Sequence, residues 1–122
     1  MYGRSGELDT GKTGLSFFKG TTLTQICLGS NDLGLNFDLP PIQIMMQSDF
    51  GTKVVGQERM LHDLTNGHLL RSFLNREVSD AAWGEKGTLI LTFAGGDQVL
   101  IFDDSDQFES YTISHSGQTI VV

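Results

Sequence analysis

Val78-Ser-Asp-Ala-Ala-Trp-Gly-Glu-Lys-Gly-Thr-Leu-Ile-Leu-Thr-Phe-Ala-Gly-Gly-Asp-Gln-Val-Leu-Ile-Phe102 is the stretch whose reading decides the fold. It contains three β-prone runs, Val78 to Trp83, Thr88 to Phe93 and Gln98 to Phe102, split by Gly84-Glu-Lys-Gly and Ala94-Gly-Gly-Asp. Branched and aromatic side chains suit a pleated, half-buried surface. Short glycine-bearing breaks join neighbouring strands antiparallel, because a parallel pair needs a long crossover.

Working outward, the same pattern stands nearer the start. Thr22 to Leu28, Leu33 to Phe37 and Ile42 to Met46 read as strands, separated by Gly29-Ser-Asn-Asp and Asp38-Leu-Pro-Pro. The two stretches are alike: Leu23-Thr-Gln-Ile-Cys-Leu-Gly parallels Val78-Ser-Asp-Ala-Ala-Trp-Gly, and Leu33-Gly-Leu-Asn-Phe parallels Leu89-Ile-Leu-Thr-Phe. Ile42-Gln-Ile is matched to Val99-Leu-Ile, and Ser48-Asp-Phe50 to Ser105 through Phe108. Between them Leu69, Leu70, Phe73 and Leu74 recur at helical spacing behind Asn66 as a cap, which predicts one helix of about three turns ending near Arg76. A closing strand or pair is expected over Tyr111 to Ile113 and Thr119 to Val122. The fold class expected is α+β, mainly antiparallel, with two similar three-stranded meanders joined by one helix.

The chain has 122 residues, 39% hydrophobic and 19% charged, which suits one folded domain rather than a disordered polymer. Residues 1–14 are glycine-rich and polar without a sustained period, and are expected to form an irregular arm, leaving 15–122 as the single domain. No apolar run reaches the ~20 residues that span a bilayer, and the start lacks a secretory layout. Cys27 is the only cysteine, so no internal disulfide can form; its apolar neighbours Ile26 and Leu28 make it a small buried residue. A cytoplasmic location is the expectation.

Net charge is −7, from 15 acidic and 8 basic residues. Phosphate backbones repel such a chain, so nucleic acid is not an expected partner. From Gly87 to Val122 stand Asp97, Asp103, Asp104, Asp106 and Glu109 without a Lys or Arg, which points to a basic protein partner.

Gly6-Glu-Leu-Asp-Thr-Gly11-Lys12-Thr13 satisfies the phosphate-loop pattern, and the run Val99 to Ile101 followed by Phe102, Asp103 and Asp104 imitates the companion strand that holds magnesium. Context decides against both. The loop works where it joins a buried parallel strand to a helix N-terminus, and only five residues precede Gly6. A calcium loop wants acids at alternate positions, a glycine at the sixth and a glutamate at the twelfth, whereas six residues on from Asp103 comes Glu109 and no glycine intervenes, so no metal is expected there. His62, His68 and His115 have no metal or catalytic spacing, and no serine sits in a nucleophile elbow. No cofactor or enzymatic activity is expected. Phe108 and Tyr111 flank the acidic run, and aromatics rimmed by carboxylates have the composition of a patch that captures a cationic protein. The candidate partner-binding set is therefore Asp103, Asp104, Asp106, Phe108, Glu109 and Tyr111.

The segment Gly87-Thr-Leu-Ile-Leu-Thr-Phe-Ala-Gly-Gly-Asp, followed by Val99-Leu-Ile-Phe-Asp-Asp-Ser-Asp-Gln-Phe-Glu-Ser-Tyr, resembles a group of small bacterial proteins of uncharacterised function. The opening Gly20-Thr-Thr-Leu-Thr-Gln-Ile, through to Ser48-Asp-Phe, looks like that group too, so the likeness covers roughly Leu15 to Ile113. Proteins of this size and style are similar to immunity proteins of polymorphic toxin systems. The resemblance implies an antitoxin of interbacterial competition, a cytoplasmic toxin inhibitor that occludes the active or substrate-binding surface of a cognate, basic nuclease-type toxin. The alternative is an assembly domain without a toxin, a homodimer pairing edge strands.

Overall fold

The computed structural model describes residues 14–38, 41–103 and 110–122. Their architecture is mostly antiparallel strand in two sheets with one longer helical segment, α+β in the broad sense. The strands are β1 (Thr22–Leu28), β2 (Leu33–Asp38), β3 (Ile42–Met46), β4 (Phe50–Lys53), β5 (Met60–His62), β6 (Val78–Trp83), β7 (Leu89–Phe93), β8 (Gln98–Ile101), β9 (Tyr111–His115) and β10 (Gln118–Val121). Both sheets are five-stranded: the first runs β10-β9-β3-β2-β1, the second β5-β4-β8-β7-β6. The expectation of three-stranded sheets missed β4 and β5, which bind the second sheet through the β4–β8 pair, while the hairpin β9–β10 binds the first through the β9–β3 pair.

Alternation explains the core. Leu33, Leu35 and Phe37 of β2, Leu89, Leu91 and Phe93 of β7, Ile44 and Met46 of β3, and Val99 and Ile101 of β8 point inward and form one buried cluster. Phe18 meets Phe37 edge-on at 5.6 Å and Phe73 meets Phe93 at 5.0 Å, so each sheet carries an aromatic pair in that cluster. Among the described residues the two sheets are tied at one edge by the bridge Thr22 to Glu77, extended by the Gly20 N–H to the Val78 carbonyl and the Val78 N–H to the Thr21 carbonyl.

The expected α-helix is replaced by 3-10 geometry from Leu64 to Phe73. Asp63, not Asn66, is the cap and accepts the Thr65 N–H, and Asn66 itself leaves helical geometry at φ −100°, ψ 28°. The cause lies in spacing. Gly67, Leu70 and Phe73 are buried and Leu64 half-buried, a period of three that lays one stripe of a 3-10 helix on β1. Gly67 allows the close approach there: a Cβ would stand 2.6 Å from a Leu33 methyl and 2.8 Å from one of Leu28, so those side chains would have to shift.

Candidate functional site

On the outer face of the second sheet lies an open concavity of about 610 Å³. Its floor comes from the residues that alternation turns away from the core: Ile90 on β7, Leu100 on β8, Leu61 on β5, and Phe102 just past β8. An outward face normally carries polar side chains, yet here Val99 to Phe102 is apolar at every position. Phe102 is seated by Gly51 on the neighbouring strand, where a Cβ would come within 3.2 Å of its ring. The guanidinium of Arg59 stands 6.0 Å from the centre of that ring, within cation–π range.

Charges of both signs rim the hollow. Glu85 and Lys86 belong to the tight β6–β7 turn, where Lys86 has φ 56° and Gly87 φ 76°; Arg59 and Asp103 stand beside them. Asp103 is exposed and its Oδ1 accepts the Ser110 hydroxyl at 2.6 Å. Tyr111, expected as an exposed anchor, is instead 1% exposed. The register explains this correction: Tyr111 faces Met46, so it points into the core with Ile113. Its hydroxyl donates to the Gly87 carbonyl, so the ring props the turn that carries the rim. Burial, and then the nearby Asp103 charge, push the phenol well above its ordinary range.

Of the sequence-predicted set, Asp103 and Tyr111 are thus brought to one turn, one as rim and one as strut. Asp104, Asp106, Phe108 and Glu109 lie outside the described residues. Arg59, Leu61, Ile90 and Phe102 were missed; the uninterrupted apolar run from Val99 to Phe102 was a visible signal for the last of them.

Gly6 to Thr13 lies outside the described residues; Leu15 to Phe18, just beyond, makes a short 3-10 turn. The strand that precedes Asp103 pairs antiparallel with both neighbours, unlike the parallel strand of a nucleotide fold. His62 shares a hydrogen bond with the Thr52 hydroxyl at 2.8 Å, and His115 stacks on Phe17 at 3.6 Å. Among the described residues no group of three or more His, Cys, Asp or Glu could hold a metal, and no helix is long and apolar enough to cross a membrane.

Fold and site together define a class, an antiparallel two-sheet domain with an open, apolar, charge-rimmed hollow on the outer face of one sheet. No known family, curated protein or solved structure matches the chain.

Proposed function

We propose that this chain is a non-catalytic protein-binding domain that neutralises a basic partner, in the manner of the immunity proteins it resembles. One observation carries the reading: the outer face of the second sheet presents Leu61, Ile90, Leu100 and Phe102 as an open floor, with Arg59 over Phe102. Arg and aromatic anchors ringed by polar side chains are the composition of interface centres. The charge of −7, and the acids that begin at Asp103, favour a cationic partner and fast encounter. An interface of about 800 Å² on this side suffices for a stable complex.

The test is copurification with the product of the neighbouring gene, followed by association kinetics. Phe102→Ala weakens the complex about tenfold or more through faster dissociation, and Asp103→Lys slows association and flattens its salt dependence. A complex indifferent to both changes removes the reading. A second reading, self-pairing of edge strands, is favoured by β5, where Met60 is 58% and Leu61 69% exposed. Sedimentation at micromolar concentration decides it: a dimer that Leu61→Lys dissolves supports edge pairing, and a monomer excludes it.

We infer, further, that the fold is one unit used twice, each copy consisting of three consecutive strands and a hairpin lent to the other copy. The register supports this. Both first strands carry an irregularity at the same place, after Leu23 and after Val78, and there Thr24 and Ser79 each donate to the facing carbonyl, Asn36 and Thr92 respectively. Gln47 N–H donates to the Ser110 carbonyl as Phe102 N–H does to that of Asp49. The correspondence sets Ile44, not Ile42, against Val99, and Phe50 against Tyr111 rather than Phe108.

A further inference from the structure

The strands that end the two sheets are not alike. β1 breaks register between Leu23 and Gln25 and has the 3-10 helix packed on it; β6 breaks register between Val78 and Asp80, with the bridge to Thr22 just ahead of it. On β10 the one large apolar side chain left exposed is Val121. β5 differs from all three: it pairs with β4 without a register break and exposes Met60 and Leu61, two of its three residues.

The Phe102 N–H donates to the Asp49 carbonyl, and that bond sets the parity of the ladder, because hydrogen-bonded pairs alternate along antiparallel strands. Gly51 therefore turns its main-chain groups to Leu100 of β8, while Phe50 and Thr52 turn theirs to His62 and Met60 of β5. Leu61, between those two, points its N–H and C=O away from β4, along the open side of the sheet. The sequence around it is self-complementary. In Arg59-Met60-Leu61-His62-Asp63 a cation stands two residues before Leu61 and a carboxylate two residues after, and the pleat carries residues two apart on one face. Arg59 and Leu61 both line the outer hollow. Asp63 caps the 3-10 helix through Oδ1, which makes Oδ2 the atom available to a guanidinium.

We propose that two copies of this chain pair β5 to β5, antiparallel and centred on Leu61, so that the two Leu61 residues exchange both main-chain hydrogen bonds and each Arg59 faces the Asp63 of the other copy. Edge pairing through β5, the second reading above, is the premise; direction, register and the charge contacts are what is added. Charge selects the register. A parallel pair sets Arg59 against Arg59 and Asp63 against Asp63, and like charges directly opposite destabilise a ladder. A slip by two residues seats Leu61 against a charge instead of against its like. At a net charge of −7 two copies repel, so their contact belongs at an edge where a cation stands ready. The pairing is isologous and closes at two copies. Facing residues share a face, so both hollows open on the same side of one continuous sheet, five strands from each copy.

The experiment is sedimentation of the full chain across the micromolar range, for the native sequence and for Leu61→Lys, Arg59→Asp and Asp63→Arg, with amide exchange of the native chain at low and high concentration. The native chain dimerises and Leu61→Lys abolishes the dimer. Arg59→Asp and Asp63→Arg each weaken it about tenfold, since both charge contacts become like-charge pairs by symmetry. The two charge variants mixed one to one associate again, because every carboxylate then faces a guanidinium. The Leu61 amide exchanges fast in the dilute chain and slows as the dimer fills, while those of Met60 and His62 are protected throughout. This measurement needs no substitution, so it decides the matter even if loss of the Asp63 cap unfolds that variant. A monomer at every concentration overturns edge pairing and this register together. A dimer that Leu61→Lys abolishes, but that ignores the charge reversals or leaves the Leu61 amide exchanging as fast as before, overturns the register while edge pairing stands.

Discussion

The two sheets have matching insides and unlike outsides. Inward, Leu33, Leu35, Ile44 and Met46 of one answer to Leu89, Leu91, Val99 and Ile101 of the other, all buried. Outward, the in-register row Gln25, Asn36, Gln43 and Ser114 faces a counterpart of Asp80, Thr92, Gln98 and Lys53. The next row sets Cys27, Gly34, Met45 and Thr112 against Ala82, Ile90, Leu100 and Gly51. Close packing restricts the inner sets to similar volumes, whereas nothing in the fold dictates the outer ones. The difference between the two sheets is thus greatest on their outer faces.

The largest expected effect tests the shared interior. Phe93→Ala and Phe37→Ala should each cost about 3–5 kcal/mol in urea unfolding, and similar values for both would support equivalent roles in the core. A cost below about 1 kcal/mol at either position would break the comparison. Next comes Gly51→Val, which pushes Phe102 off its seat: about 1–3 kcal/mol of stability should be lost together with the hollow's floor, seen as a displaced Phe102 ring in NMR spectra.

Tyr111→Phe is smaller, about 0.5–1.5 kcal/mol at neutral pH, for the hydrogen bond to Gly87. Its pH signature sharpens the prediction. Because the folded phenol titrates above the unfolded one, its contribution is full below about pH 10 and is lost as pH rises further, so the native chain weakens in alkali and the Phe variant lacks that component. The smallest effect belongs to Asp97, which links the β7–β8 turn to the β4–β5 turn. The Val55 N–H, then the Arg76 guanidinium at 3.0 Å, hold its carboxyl below the ordinary 3.8. Its contribution is present above that value and disappears as pH falls through the depressed one; Asp97→Asn should flatten acid unfolding curves only there.

How far the sequence disclosed this structure depended on the physical signal at each place. Thr22–Leu28, Ile42–Met46 and Val78–Trp83 were legible to the residue: Gly29 and Gly84 end the first and the third, and Pro41 precedes the second. Phe50–Lys53 was opaque: Gly51 lowers its strand propensity, and its reason for being there is the Phe102 ring, distant in sequence. Leu69 and Leu74 suggested an α-period, while the spacing of three from Leu64 through Phe73 was the one that packing used. At the site, charge led to Asp103 but misjudged Tyr111, since one residue of strand register decides whether a side chain faces solvent or core. Arg59 and Leu61 were hidden because β5 and β8 meet only through β4.

The reciprocal lending of hairpins has a consequence for synthesis on the ribosome. β1, β2 and β3 leave the exit tunnel without β9, so the edge of β3 stays unpaired from the time Met46 emerges until Tyr111–His115 has followed it. A sequence with so many distant pairings folds slowly, and an early stop codon would yield no smaller native protein but a length of unprotected strands, the form that chaperones and proteases are built to seize.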